Sequence, residues 1–303
     1  MQRTLHVLTG CTAVGKTELA LRWAEANGAE IVSCDSLLFY RGLDLGTAKP
    51  AKAELARVPH HLIDVCEVTE QMDVTDYVTS ARAAIDDILR RDRRVLVTGG
   101  SGFYLKAFFA PIADDIEVPA GLRAGVRARL EQDGLDALVA ELRQLNPAGL
   151  GALDVRNPRR VLRALERCRA SGRTLAELKE DFTAQPAPFA DCEVKLVELV
   201  REKTELERRI EQRVAAMLSA GLVAEVRGLL AMGLKLNPSA ARAIGYRETI
   251  DVIEGRLPEG DLAATIAQNT RALVKKQRTW FKTQLPVHRQ LAPDSARLDE
   301  LFG

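Results

Sequence analysis

The chain has 303 residues, 47% of them hydrophobic and 28% charged, with a formal net charge of +1. That length supports a large core divided over two domains, and the charge balance singles out neither a nucleic acid nor an acidic partner. The five cysteines form no C-x-x-C pair, which argues against a zinc site or a disulfide framework; with no signal core and no run of about 18 apolar residues, a soluble cytoplasmic protein is expected.

The apolar run Leu5 to Leu8 reads as a first strand and leads into Gly10, Cys11, Thr12, Ala13, Val14, Gly15, Lys16 and Thr17. These residues fit the phosphate-binding loop G-x4-G-K-[ST], placed as expected between a strand and a helix. Backbone N–H groups of such a loop turn toward phosphates, Lys16 adds a point charge, and the Thr17 hydroxyl suits a Mg2+ ion bridging phosphate oxygens. A helix follows from Thr17 to Ala26, and after Gly28 a β-branched run, Glu30 to Cys34, stops at Asp35. The apolar run His61 to Val65 precedes a helix from Val74 to Arg90 with Asp73 as N-cap, and Arg94 to Thr98 reads as a buried parallel strand ending in Gly99-Gly-Ser101-Gly. From Asp114 to Ala190 β-branched runs give way to helical periodicity at Leu122 to Leu130 and Leu135 to Leu145, so this stretch reads as a helical insertion. Glu193 to Val200 returns to the sheet, and the remainder is helical, mainly Ile210 to Leu218, Leu222 to Leu230 and Ile266 to Phe281. The predicted fold is α/β, a P-loop NTPase-like parallel sheet with flanking helices: core 1–113 and 191–303, insertion 114–190.

A carboxylate at a strand end beside bound phosphates, Asp35, is a candidate metal holder, general base or structural cap. Ser101 lies in a turn able to face the phosphate loop, as a hydrogen-bond partner of substrate or Asp35, or as a turn serine satisfying its own backbone. Arg156, Arg160, Arg163 and Arg167 fall on one helical face, and residues 262–293 contain no acid while carrying Arg271, Lys275, Lys276, Arg278, Lys282 and Arg289 around Trp280 and Phe281. Each cluster is either a solvated face or a nucleic-acid contact, and cations interleaved with aromatics suit RNA. His60 and His61 lack companions at ligand spacing and read as structural or hydrogen-bonding residues rather than metal ligands. Without an N-K-x-D segment a switch GTPase is disfavoured; an ATP-dependent small-molecule kinase and a non-catalytic RNA-binding protein are the alternatives to an RNA-modifying enzyme.

Taken together, residues 10–17, Asp35 to Arg41, Asp44 to Pro50, His60 to Asp64, Gly99 to Tyr104, Asn157 to Glu166 and Ala243 to Arg247 closely resemble the tRNA dimethylallyltransferase family. The resemblance spans residues 6–282. It implies transfer of a dimethylallyl group from dimethylallyl diphosphate, with Mg2+, to N6 of the adenine 3′ of the anticodon, by a monomeric enzyme whose P-loop holds diphosphate. It further implies Asp35 as general base with Ser101 beside it, and an adenine pocket lined by Ser36, Leu37 and Leu38. Contacts to the anticodon stem-loop are implied for Arg123, Arg159, Arg160, Arg163, Arg242, Lys275, Lys276 and Arg278. Cys11 stands where the family usually has Pro, Ser101 where it has Thr, and Leu38 where many members have Gln. The absence of a zinc-finger extension beyond Gly303 is expected of the bacterial type.

Overall fold

The computed structural model describes residues 3–303, which cluster into two compact units: residues up to Ala110 together with Ala187–Gly303, and Pro111–Pro186. The first unit is built on six strands: β1 (Thr4–Gly10), β2 (Ala29–Ser33), β3 (His60–His61), β4 (Arg94–Gly99), β5 (Glu193–Leu199) and β6 (Arg289–Leu291). They form one sheet in the order β3-β2-β4-β1-β5-β6 with every pairing parallel. Its inner strands read as near-continuous apolar runs because both faces are covered: Leu5, Val7, Leu8, Val32, Val95, Leu96 and Val97 have no exposed surface.

Register positions the site. Thr9 on β1 lies opposite Gly99 on β4 and Glu198 on β5, and Ser33 on β2 lies opposite Thr98, so the C-terminal ends of four strands are level. The phosphate loop, the turn after Ser33 and the glycine turn after Gly99 therefore leave the sheet side by side, at the edge where open parallel sheets bind ligands.

Helices begin and end where local chemistry directs. Gly28, at φ 61°, stops the Lys16–Asn27 helix with its N–H donated to the Ala24 carbonyl. Asp73 caps the Val74–Arg90 helix, its side chain accepting from Thr75 and Asp76 N–H. Of the apolar run His61 to Val65 only His61 pairs in the sheet, because Leu62 and Asp64 adopt φ of 62° and 54° and the Asp64 carboxylate turns back to the buried Lys49 ammonium. Strand β6 escapes the sequence pattern because only three residues pair, Arg289–Leu291, and only Leu291 of them is apolar.

The second unit has its own core of Val126, Leu138, Leu142, Val161, Leu165 and Cys168. Its long helix, Ala120–Leu145, is two helices meeting at Gly134 (φ 79°, ψ 176°), the break between the two periodic segments. Phe189 belongs to the first unit, since it is fully buried, stacks on Phe108 with centroids 4.5 Å apart, and lies under the Arg82 guanidinium.

Candidate active site

Two glycines shape the phosphate loop, one by close approach and one by its backbone conformation. A Cβ on Gly10, at φ 148°, would lie 2.6 Å from the Leu199 carbonyl oxygen, and Gly15 takes φ 106° at the start of the Lys16–Asn27 helix. Lys16 donates from Nζ to the Gly10 and Cys11 carbonyls at 2.8 and 3.0 Å, and burial lowers its pKa to about 8. Two arginines clamp the loop from its carbonyl side: Arg209 Nε donates to Ala13 O at 2.9 Å and Arg201 Nε to Val14 O at 3.0 Å. Bonding the carbonyls outward leaves loop N–H groups for an anion on the other side. Cys11 is buried among core residues, and desolvation pushes its thiol pKa up, so the departure from Pro supplies a small apolar group rather than a reactive one.

Beside the loop, Cys34 N–H bonds to Thr98 O at 2.8 Å, extending the β2–β4 contact by one residue before Asp35. A Cβ on Gly99 would lie 2.0 Å from the Cys34 carbonyl oxygen, so only glycine permits this approach. Asp35 Oδ1 accepts Leu37 N–H at 3.0 Å, which fixes the carboxylate's orientation; its Oδ2 has no partner among the described residues. Ser101 bonds to Ser36 rather than to Asp35: its Oγ accepts Ser36 N–H at 3.0 Å and lies 3.3 Å from Ser36 Oγ. It thereby holds the turn that carries Asp35.

Two cavities open here. One, of 530 Å3, is lined by Gly15, Lys16, Thr17, His60 and Arg209; the other, of 630 Å3, by Ser36, Leu37, Ser101, Arg242, Lys276 and Trp280. Both include Thr12, Asp35, Thr47, Gly100 and Arg213, so they meet at the carboxylate. Arg213 donates to Thr47 O at 2.8 Å; burial lowers its pKa, with Asp35 opposing that shift. Thr47 is held in turn by its neighbours. Gly46 lies against the Tyr246 ring, whose hydroxyl donates to Glu225 Oε1 at 2.7 Å, and Glu225 Oε2 accepts Leu45 N–H at 2.8 Å.

Of the residues expected from sequence, Leu38 lines the phosphate-loop cavity and not the cavity that contains Ser36 and Leu37, because consecutive turn residues diverge. Lys275 and Arg278 are exposed on the Leu262–Gln284 helix outside both cavity linings. In the second unit Arg123, Arg156, Arg159, Arg160 and Arg163 are exposed. Arg167 departs from that face: it is half-buried and ion-paired with Asp114. Sequence reasoning missed Thr47, Arg201, Arg209 and Arg213. Thr47 sits inside the recognised Asp44 to Pro50 segment, and Arg209 and Arg213 share a helical face at i, i+4 spacing, but nothing in that spacing says that the face meets the phosphate loop.

Among the described residues no group of three or more His, Cys, Asp or Glu side chains is set to hold a metal. The Thr17 hydroxyl is exposed in the phosphate-loop cavity with no hydrogen bond among those residues, a donor set that fits Mg2+, which keeps waters and takes most ligands from phosphate oxygens. No single helix among them is long and apolar enough to cross a membrane.

The family model for IPP transferase matches residues 38–284. A tRNA dimethylallyltransferase of Opitutus terrae is 66% identical, covering 99% of this chain and 95% of its own; that of Deinococcus radiodurans is 44% identical, covering 96% and 94%. Among solved structures, the tRNA isopentenylpyrophosphate transferase of Bacillus halodurans aligns with a TM-score of 0.69 at 30% identity over 99% of this chain and 93% of that one. A eukaryotic dimethylallyltransferase acting on tRNA aligns with a TM-score of 0.79 at 23% identity over 92% and 70%, a likeness of fold. A sheet of this order, an all-helical insertion, a phosphate loop and a carboxylate between two cavities thus accompany relatedness over nearly the whole chain, and the chain belongs to the tRNA dimethylallyltransferase (IPP transferase) family, bacterial type.

Proposed function

We propose that the protein transfers a dimethylallyl group from dimethylallyl diphosphate to N6 of the adenine 3′-adjacent to the anticodon, giving N6-(dimethylallyl)adenosine and diphosphate. The observation that carries this reading is the meeting of the two cavities at Asp35, Thr12 and Arg213. One cavity offers cations and loop N–H groups to a diphosphate. The other offers Trp280 and polar groups to an extruded base, which aromatic faces stack.

In this reading the N6–carbon bond forms as the carbon–oxygen bond to diphosphate breaks, the bonding pair leaving with oxygen. The adenine amino group is a poor nucleophile because its lone pair is delocalised into the ring; Asp35, through its unpartnered Oδ2, accepts the departing proton. Ser101 acts through Ser36 by fixing the turn that aims the carboxylate. Lys16, Arg213 and the loop N–H groups stabilise the negative charge that grows on the leaving oxygen. Mg2+ at Thr17 supplies further charge neutralisation when bound. On the RNA side, Arg242 and Lys276 hold the anticodon loop at the cavity mouth, with Lys275 and Arg278 beside them. Arg123, Arg159, Arg160 and Arg163 grip the stem and offset the few kcal/mol of base extrusion.

The test is incubation with unmodified tRNA, Mg2+ and isotope-labelled dimethylallyl diphosphate, followed by digestion to nucleosides. Label in N6-(dimethylallyl)adenosine at the position beside the anticodon is expected. Absence of label, with phosphate transferred from ATP to a small acceptor in parallel, would establish the kinase alternative instead.

A further inference from the structure

The Leu262–Gln284 helix carries exposed cations at Lys275, Lys276 and Arg278, yet Gln277, between Lys276 and Arg278, points inward. Its Oε1 accepts Thr12 N–H at 3.0 Å and its Nε2 donates to Gly100 O at 3.0 Å. One side-chain amide therefore ties the second residue of the phosphate loop to the glycine turn after β4. The fit is close on both sides: a Cβ on Gly100 would lie 3.0 Å from Gln277 Nε2, 3.3 Å from Gly10 O and 3.6 Å from Lys16 Nζ. One turn further along, Trp280 covers Gly102, where a Cβ would lie 2.5 Å from the indole ring.

We infer that Gln277 is a positioning residue for the diphosphate donor: it holds Thr12 where the two cavities meet and sets the loop's opening against Gly100. This rests on the proposed transfer reaction. The physical argument is complementarity. A primary amide has both an acceptor for Thr12 N–H and a donor for Gly100 O in one rigid plane. Because its bond to Thr12 is already made, that N–H is not offered to phosphate; the loop presents its later N–H groups, and the Thr12 side chain faces the junction. Gln277 thus acts on the donor through Thr12, from a helix whose outer residues are those assigned to RNA.

The experiment compares wild type with Gln277→Leu, similar in size but unable to make either bond, and Gln277→Glu, which keeps the acceptor but sets a carboxylate against Gly100 O and adds negative charge beside the loop. Expected for Gln277→Leu is a rise of about tenfold in KM for dimethylallyl diphosphate, the effect of two neutral hydrogen bonds, with tRNA Kd held within about twofold; Gln277→Glu raises KM further. In the ligand-free protein, amide exchange at Thr12 quickens in Gln277→Leu, a readout that stands even if the transfer reading fails. An unchanged Thr12 exchange rate in Gln277→Leu would remove the grip itself. Quickened exchange with unchanged donor KM and weakened tRNA binding would make Gln277 an RNA contact and overturn the inference.

Discussion

Gly46→Ala tests how the segment carrying Thr47 is held. A Cβ there would lie 2.3, 2.5 and 2.9 Å from Cε2, Cζ and the hydroxyl oxygen of Tyr246. Ordinary contact begins near 3.4 Å, so the ring must retreat about 1.1 Å, and it is fully buried. Overpacking of this kind costs about 1–3 kcal/mol. Retreat also breaks the 2.7 Å bond to Glu225, a charge-assisted bond worth about 1.5–3 kcal/mol, and loosens the carboxylate that holds Leu45 N–H. A loss of about 2.5–6 kcal/mol is expected, read by urea unfolding through the fluorescence of Trp23 and Trp280, both in the first unit. Placed on a Tyr246→Ala background, where no ring stands in the way, Gly46→Ala is expected to add less than about 1 kcal/mol. A penalty that is the same on both backgrounds, or below about 1 kcal/mol in the wild-type background, would refute the steric account.

Asp35→Asn keeps an acceptor for Leu37 N–H but cannot take a proton, so prenyl transfer is expected to be abolished while tRNA affinity stays within a few-fold; near-normal turnover would remove Asp35 as base. Arg160 and Arg163 are exposed and only loosely paired, each 4.0 Å from an acid, so changing both to Glu is expected to weaken tRNA binding and reduce the slope of log K against log salt by about 1.4–1.8 or more. An unchanged slope would return that face to solvent. Lys16 titrates in the folded protein near 8 against an ordinary value of 10.5, so between those values the unfolded chain binds more protons and the contribution of Lys16 to stability rises with pH. Its charge in the ligand-free protein is lost over the same range. Pyrophosphate affinity is therefore expected to fall from pH 7 to pH 9.5, and calorimetry should find that fall absent in Lys16→Arg, which also removes the ligand's own titration from the comparison.

How legible was this molecule in its sequence? Strands β1, β2, β4 and β5 announce themselves as short runs rich in Val, Leu and Ile, interrupted only singly, as at His6, Glu30, Lys195 and Glu198, and the Val74–Arg90 helix begins at the Asp73 cap read for it. The phosphate loop is legible because its glycines answer local demands: φ at Gly15 and close approach at Gly10. What stays hidden depends on contacts between residues far apart in the chain. Arg213 reads as one more cation on a helix until the fold brings it to Thr47 and Asp35. Gln277 lies 265 residues from its partner Thr12, and an amide among cations carries no signal of its own. Leu38 follows Leu37 directly, and only the geometry of the turn sends them to different cavities.

The arrangement also explains how a nucleotide-type loop can serve a reaction that hydrolyses no nucleotide. Parallel register brings the ends of β2, β4 and β1 level, so a loop built to hold phosphates lies beside a strand end carrying a carboxylate. The Lys203–Ser219 helix adds arginines along one face: Arg209 on the loop carbonyls and, one turn on, Arg213 at the junction. Cations therefore line the cavity in which the proposed reaction has a leaving diphosphate gather charge. The Asp35 carboxylate lines both cavities, which is where the proposed reaction has the entering base give up its proton. On that proposal, an electrophilic carbon tethered to a held diphosphate meets only the nucleophile that fits the second cavity, and selectivity for a base over water follows from filling that cavity.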